Sequence, residues 1–254
     1  MKSPYADQVV LLTTTFSPSV EDMRAQLALK TCKKAHERGF PIIVVDGSPC
    51  QEFKRALRDT GAIVVDQQEF GMEGSRRQVF RLGLERYPGV KVYGWLEPEK
   101  HPMVDLLDPC FRPIIEPENG PVDVVVPRRK TLTNYPLYQQ WSELTANWQL
   151  GDITGRYKLD LYSGPRFMSR RATQRMADFN SGGDGKWKII FLPLVWMMFS
   201  GWCIVSVTVD YIHPAEQLVE DNESMRAKRD EQRTALVQAM SAEWKHQFEF
   251  HNMP

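Results

Sequence analysis

Two carboxylates two residues apart, in the run Glu97-Pro98-Glu99-Lys100, are the groups of this 254-residue chain best suited to chemistry. In extended backbone, residues i and i+2 face the same side, so both glutamates can address one ion or one hydrogen-bonded group. Hard divalent cations such as Mg²⁺ and Mn²⁺ prefer oxygen ligands and keep places for water and phosphate oxygens, so a few carboxylates suffice. The same residues also suit a solvated surface turn, and the place of the motif in the fold separates the two readings.

The segment Val92-Tyr93-Gly94-Trp95-Leu96 leads straight into the acids and reads as a buried strand. Three earlier runs have the same apolar, β-branched character: Val9 to Thr15, Pro41 to Val45 and Ala62 to Val65. Between them the sequence predicts helices: one capped by Ser19 and ended by Gly39, one from Glu52 to Arg58 stopped by Gly61, and one from Arg76 to Tyr87 after Gly74 and Ser75. Strand and helix in alternation predict an α/β fold, a mostly parallel sheet with helices on both faces. Ligands of such sheets lie beyond the carboxyl ends of the strands, and Glu97 and Glu99 stand at one of these ends. The second half is less regular. It holds a strand at Val122 to Val126, helices at Leu137 to Trp148 and Ser169 to Asp178, a flexible Gly182-Gly183-Asp184-Gly185 connection, and an amphipathic helix from Glu223 to Phe248.

Bulk properties narrow the function. Lys and Arg together number 32, as do Asp and Glu, so no global field points to nucleic acid or to an anionic membrane. Cys32, Cys50, Cys110 and Cys203 show neither the close pairing of zinc ligands nor the density of a disulfide scaffold, which predicts a reducing, cytoplasmic setting. Met1 to Asp7 lacks the basic start and apolar run of a secretory signal. Ile189 to Val209 is apolar nearly throughout, but Pro193, Ser200 and Gly201 interrupt it, and Val205, Val207 and Val209 alternate with Ser206 and Thr208. That pattern predicts a helix, a glycine stop and a strand, with no transmembrane span.

The order of these elements resembles the GT-A glycosyltransferases, family-2-like members in particular, over most of the chain. The matching pieces are the first strand, the second strand closing in Val45-Asp46-Gly47-Ser48, and Gly71-Met72-Glu73-Gly74-Ser75-Arg76-Arg77-Gln78 opening a helix. Glu97-Pro98-Glu99 then falls where that family carries its Asp-x-Asp motif. The resemblance implies a single GT-A domain, Rossmann-like, over residues 1–254: a nucleotide-binding half (1–100), an acceptor-side half (101–214) and a C-terminal helical extension (215–254). It implies transfer of a sugar from a nucleoside-diphosphate donor, UDP- or GDP-linked, to an acceptor hydroxyl whose identity stays open.

By the same resemblance, Thr13, Thr14 and Asp46 contact the base and ribose, and Arg77 and Lys100 are basic groups near the diphosphate. Glu97 and Glu99 hold a divalent metal, Mn²⁺ or Mg²⁺, with His213 of Asp210-Tyr211-Ile212-His213-Pro214 as third ligand. Asp46 also suits an Asx-turn, Arg77 an exposed helix face, and His213 a structural role. Asp160-Leu161-Tyr162-Ser163-Gly164-Pro165-Arg166-Phe167 resembles the acceptor-side motif, which puts Asp160 among the catalytic candidates. Tyr135, Tyr138, Trp141 and Trp148 precede it and suit either stacking on sugars or packing in the core.

The chain also departs from that pattern. Glutamates replace the usual aspartates. Inverting members carry a carboxylate pair where this chain reads Lys186-Trp187-Lys188, and the nearest acid upstream, Asp184, is the other catalytic candidate. This leaves room for a retaining enzyme, as in mannosylglycerate-synthase-like proteins, which the second half also resembles. Two other classes compete. A nucleotidyltransferase predicts a Gly-rich loop after the first strand, where Thr13-Thr14-Thr15-Phe16-Ser17-Pro18 has no glycine. A catalytically inactive module would bind a sugar nucleotide or a partner protein without turnover.

Overall fold

Continuous apolar runs need cover on both faces, and here they form the middle of a sheet. The computed structural model describes residues 1–183, 185–220 and 223–251. Strands β1 (Val9–Thr15), β2 (Ile42–Asp46), β3 (Ile63–Asp66) and β4 (Val92–Trp95) alternate with helices α1 (Met23–Glu37), α2 (Gln51–Asp59) and α3 (Gly71–Arg86), as predicted. The second half contributes α4 (Asp108–Ile115), β5 (Val124–Arg129), α5 (Leu137–Thr154), β6 (Arg166–Met168), α6 (Arg170–Asp178), α7 (Lys188–Phe199), β7 (Ile204–Val209) and α8 (Glu223–His251).

The strands lie in the order β3-β2-β1-β4-β6-β5-β7. Neighbours are parallel except at β6, which runs antiparallel to both β4 and β5. Because β1 pairs with β4 through Leu12 and Trp95, their carboxyl ends open side by side and Glu97 to Glu99 emerge beside Thr14 and Thr15. Strand period sends Val10, Leu12, Tyr93 and Trp95 to the face covered by α3, α6 and α7, and Val9, Leu11 and Val92 to the face covered by α1 and α4. Each fully buried aliphatic side chain contributes about 1.5–3 kcal/mol, so this double-sided core holds the strand ends in place.

Several local expectations are corrected. Asp22, not Ser19, caps α1, because its Oδ1 accepts from the backbone N–H groups of Arg24 at 2.8 Å and Ala25 at 3.3 Å. Helix α3 begins at Gly71, more than a turn before Arg76, and α5 runs on past Trp148 to Thr154. Helix α4 was hidden by Pro109 and Pro113. A first-turn proline needs no N–H partner and is tolerated there, although it reads as a breaker in sequence. Strand β6 is three residues long, too short to show alternation.

The apolar stretch Ile189 to Val209 is α7, a stop at Gly201 (φ +74°) and β7, as expected. Among the described residues no helix is long and apolar enough to cross a membrane. Helix α8 packs on α5 and α7, burying Leu236 and Met240 and setting Trp244 edge-on to Phe199 at 5.2 Å.

Candidate active site

Beyond the carboxyl ends of β1 and β4 lies a cleft of about 720 Å³. Thr14, Thr15 and Phe16 at the end of β1, Met72 and Arg76 of α3, and Glu97 to Glu99 after β4 all line it. A second cavity of about 290 Å³ lies between the acidic motif and α8, lined by Lys100, Tyr135, Tyr162, His213, Lys228 and Arg229 among others. Arg24, Met72, Glu97, Glu99 and Trp187 face both spaces and so mark their junction.

The acidic motif is held from both sides. Thr31 Oγ1 donates to the Pro98 carbonyl at 2.5 Å, fixing the loop to α1. The Glu97 carboxylate is ion-paired with the buried Lys100 ammonium, which donates to the Ser163 carbonyl at 2.5 Å. Gly164 closes this contact. Its φ of +91° disfavours any side chain, and a Cβ there would run into the Glu97 carboxylate and come within 2.8 Å of Lys100 Nζ. This glycine therefore lets the backbone approach the acidic motif.

Burial, and then the neighbouring Glu97, push the Glu99 carboxyl above the usual carboxylate range. Burial opposes the Lys100 ammonium, but the charge and hydrogen bond of Glu97 help to outweigh it and raise the lysine above its ordinary value.

The nucleotide-side candidates separate. Thr14 lines the cleft, whereas Thr13 is fully buried with its Oγ1 lacking a hydrogen-bond partner. Asp46 is fully buried and engaged by local donors: Thr15 Oγ1 at 2.7 Å, Ser48 Oγ at 2.6 Å and Ser48 N at 3.2 Å. Here the carboxylate closes the strand end, the turn role that its position also suited, and leaves little for a ribose.

Arg77 does not line the cleft. Its guanidinium donates to Glu69 at 2.6 Å and to the Phe179 carbonyl at 3.1 Å, tying α3 to the end of α6. The neighbouring Arg76 faces the cleft instead. Sequence reasoning also missed Glu73, fully buried, which accepts from the backbone N–H of Ser181 at 2.9 Å and anchors the glycine-rich connection to α3. The signal for both was present in the Gly71 to Gln78 motif, but reading it required the true start of α3.

On the acceptor side Asp160 is corrected from catalytic candidate to structural centre. Its Oδ2 accepts from Arg129 Nε at 2.7 Å and Arg129 N at 3.2 Å, and its Oδ1 from Arg129 Nη2 at 2.8 Å and Asn147 Nδ2 at 2.9 Å. These donors, above all Arg129, outweigh the cost of burial and hold the carboxyl below the usual range, so it is a poor proton acceptor. Glu143 pairs with the other side of Arg129 at 2.6 Å. Asp184, the other catalytic candidate, lies outside the described residues.

His213 is stacked on Tyr135, ring centroids 4.2 Å apart and 24° between planes. Burial first, then Lys100, Arg229 and Arg129, push its pKa down to about 3, so the imidazole is neutral at pH 7. His213 Nδ1, Tyr135 Oη, Tyr162 Oη and Gln217 Oε1 are buried without hydrogen-bond partners, all in the second cavity. Tyr138 donates to the Arg226 carbonyl at 3.1 Å, while Trp141 and Trp148 are exposed on α5, so neither lies in the core.

Among the described residues no three His, Cys, Asp or Glu side chains converge as a ready metal cluster. His213 shares its cavity with Glu97 and Glu99, but the expected triad is not preassembled. The donor set still fits a hard cation that takes most of its ligands from a diphosphate. Two oxygen-bearing side chains face the junction, one of them pushed up by desolvation and then by its like-charged neighbour, and a neutral imidazole with an unpartnered nitrogen stands in the same cavity.

No protein-family model matches the chain, and no curated protein does. Solved structures do. Glucosyl-3-phosphoglycerate synthase of Mycobacterium tuberculosis resembles it with a TM-score of 0.62 at 12% identity, over 92% of this chain and 81% of that one. The same synthase with Mn²⁺, UDP-glucose and phosphoglyceric acid gives a TM-score of 0.63 at 11% identity, over 92% and 80% of the two chains. Its complex with Mn²⁺, UDP and glucosyl-3-phosphoglycerate gives 0.60 at 11% identity, over 92% and 80%. The fold is that of GT-A glycosyltransferases, as the element order implied.

Proposed function

We propose that this chain transfers a sugar from a nucleoside-diphosphate donor to a hydroxyl of a small acceptor. The observation that carries this reading is the meeting of two cavities at Glu97-Pro98-Glu99, an open one of about 720 Å³ and a smaller one of about 290 Å³. The likeness to a synthase crystallised with UDP-glucose and Mn²⁺ supports a UDP-linked donor over a GDP-linked one. Its four cysteines, all free thiols, suit a reducing cytoplasm.

Glu97 and Glu99, with His213, would hold Mn²⁺ or Mg²⁺, which when bound neutralises charge growing on the departing diphosphate. The chain's own residues do the rest. Thr14 and the backbone of β1 receive the nucleotide end, and Arg24 and Arg76 place positive charge along the cleft. In the second cavity Tyr135, Tyr162 and Gln217 offer partners to acceptor hydroxyls, and Lys228 and Arg229 favour an acceptor bearing an acidic group.

Calorimetry of the full chain with UDP-glucose and GDP-mannose, each with and without Mn²⁺, tests the reading. Binding is expected for the UDP-linked sugar and to strengthen with Mn²⁺. Absence of binding in all four titrations would remove the proposal.

A further inference from the structure

We infer that the indole of Trp187 is the platform on which the transferred sugar lies, an inference that rests on the glycosyltransferase reading. Transfer requires the sugar to sit where donor and acceptor spaces meet. Of the described residues facing both spaces, Arg24, Met72, Glu97, Glu99 and Trp187, only Trp187 is aromatic. A pyranose presents a patch of C–H groups on its ring face and hydroxyls around its rim. An indole matches the first, and the carboxylates and guanidinium at the same junction match the second.

The ring is fixed in place, as a platform must be. The Arg76 guanidinium lies 3.8 Å from the Trp187 ring centroid and 5.2 Å from that of Trp95, so it bridges the two indoles. The same guanidinium donates from Nη1 to the Lys186 carbonyl at 3.0 Å, holding the backbone immediately before the ring. Lys186 has φ +49°, the one positive φ at a non-glycine position among the described residues. A lysine in that region persists only where its surroundings enforce it, and the Arg76 contact does so directly at the residue that aims Trp187. Trp187 is half-buried and lines both cavities.

The full chain is titrated in Mn²⁺ with UDP, UDP-glucose, GDP and GDP-mannose, and the nucleotide pair that it binds is used for Trp187→Ala, Trp187→Leu and Trp187→Phe. In the wild type the sugar nucleotide is expected to bind more tightly than the bare nucleotide. Trp187→Ala and Trp187→Leu should lower that ratio about 10-fold, with bare-nucleotide affinity within about twofold of wild type, and Trp187→Phe should keep most of it. Circular dichroism confirms folding, and if the alanine variant does not fold, the leucine and phenylalanine pair decides. An unchanged ratio, or equal loss for nucleotide and sugar nucleotide, overturns the platform while leaving the glycosyltransferase reading intact. Failure of the wild type to bind any of the four overturns both.

Discussion

Replacing Glu99 by alanine is expected to lower sugar transfer about 100- to 1,000-fold while leaving the protein at least as stable as the wild type. The two effects have one cause. Glu99 stands half-buried beside Glu97, and desolvation followed by that like charge raises its carboxyl above the ordinary range. The ionised form is thus less favourable in the folded chain than in the unfolded one, so removing it relieves a strain on folding. What is lost is negative charge at the junction of the two cavities, where a divalent ion and a diphosphate would meet. Initial rates of nucleoside-diphosphate release across Mn²⁺ concentrations, with a thermal melt of the same sample, separate the outcomes. A variant with wild-type rate and metal dependence would take Glu99 out of the site. A slow variant that also melts early would mean structural damage rather than chemistry.

Replacing Arg129 by alanine is expected to destabilise the chain by about 3–5 kcal/mol, the usual effect of stripping one partner from a buried ion pair. Arg129 is almost wholly buried and links three elements: β5, which carries it, α5 through Glu143 at 2.6 Å, and the segment before β6 through Asp160 at 2.7 Å. Without it two carboxylates remain in a dry interior, and Arg233, 3.5 Å from Glu143, offers weak compensation.

The sign of the pH dependence follows from Asp160. Its folded pKa is depressed, so its contribution is complete above the ordinary carboxylate range and is lost as pH falls through the depressed value. In the variant the stranded carboxylates take up protons on folding, so its stability rises as pH falls toward that range. Urea unfolding at pH 7 and near pH 4 should show the gap between variant and wild type narrowing with acid. A gap below about 1 kcal/mol at pH 7 would mean that Arg129 does not organise this wall of the second cavity.

These expectations draw on different levels of information. The strands β1, β2 and β4 were legible from residues alone, because a strand covered on both faces must be apolar almost without break, and Val9 to Leu12 and Ile42 to Val45 are. The place of Glu97 and Glu99 was legible for the same reason. Once the alternation of strand and helix predicts a parallel sheet, acids at a strand's carboxyl end stand where ligands gather.

Side-chain direction was not legible, since it depends on where each element starts and on what packs against it. One residue along a helix turns the side chain by about 100°, so Arg76 faces the cleft while Arg77 turns to Glu69 and the end of α6. Asp160 and Asp46 carry the residue type of catalysis, but distant or local donors saturate both, and no spacing rule records that Arg129 folds back onto Asp160 from 31 positions away. The cations of α8 enter the second cavity only because that helix packs on α5 and α7, which its amphipathic pattern alone does not specify. The sequence by itself determined the sheet and the acidic motif at the carboxyl end of its fourth strand, through local pattern and burial. Which groups face the junction, which are already occupied, and that Trp187 stands between the two spaces were decided by the tertiary structure, because each is a contact between segments far apart in the chain.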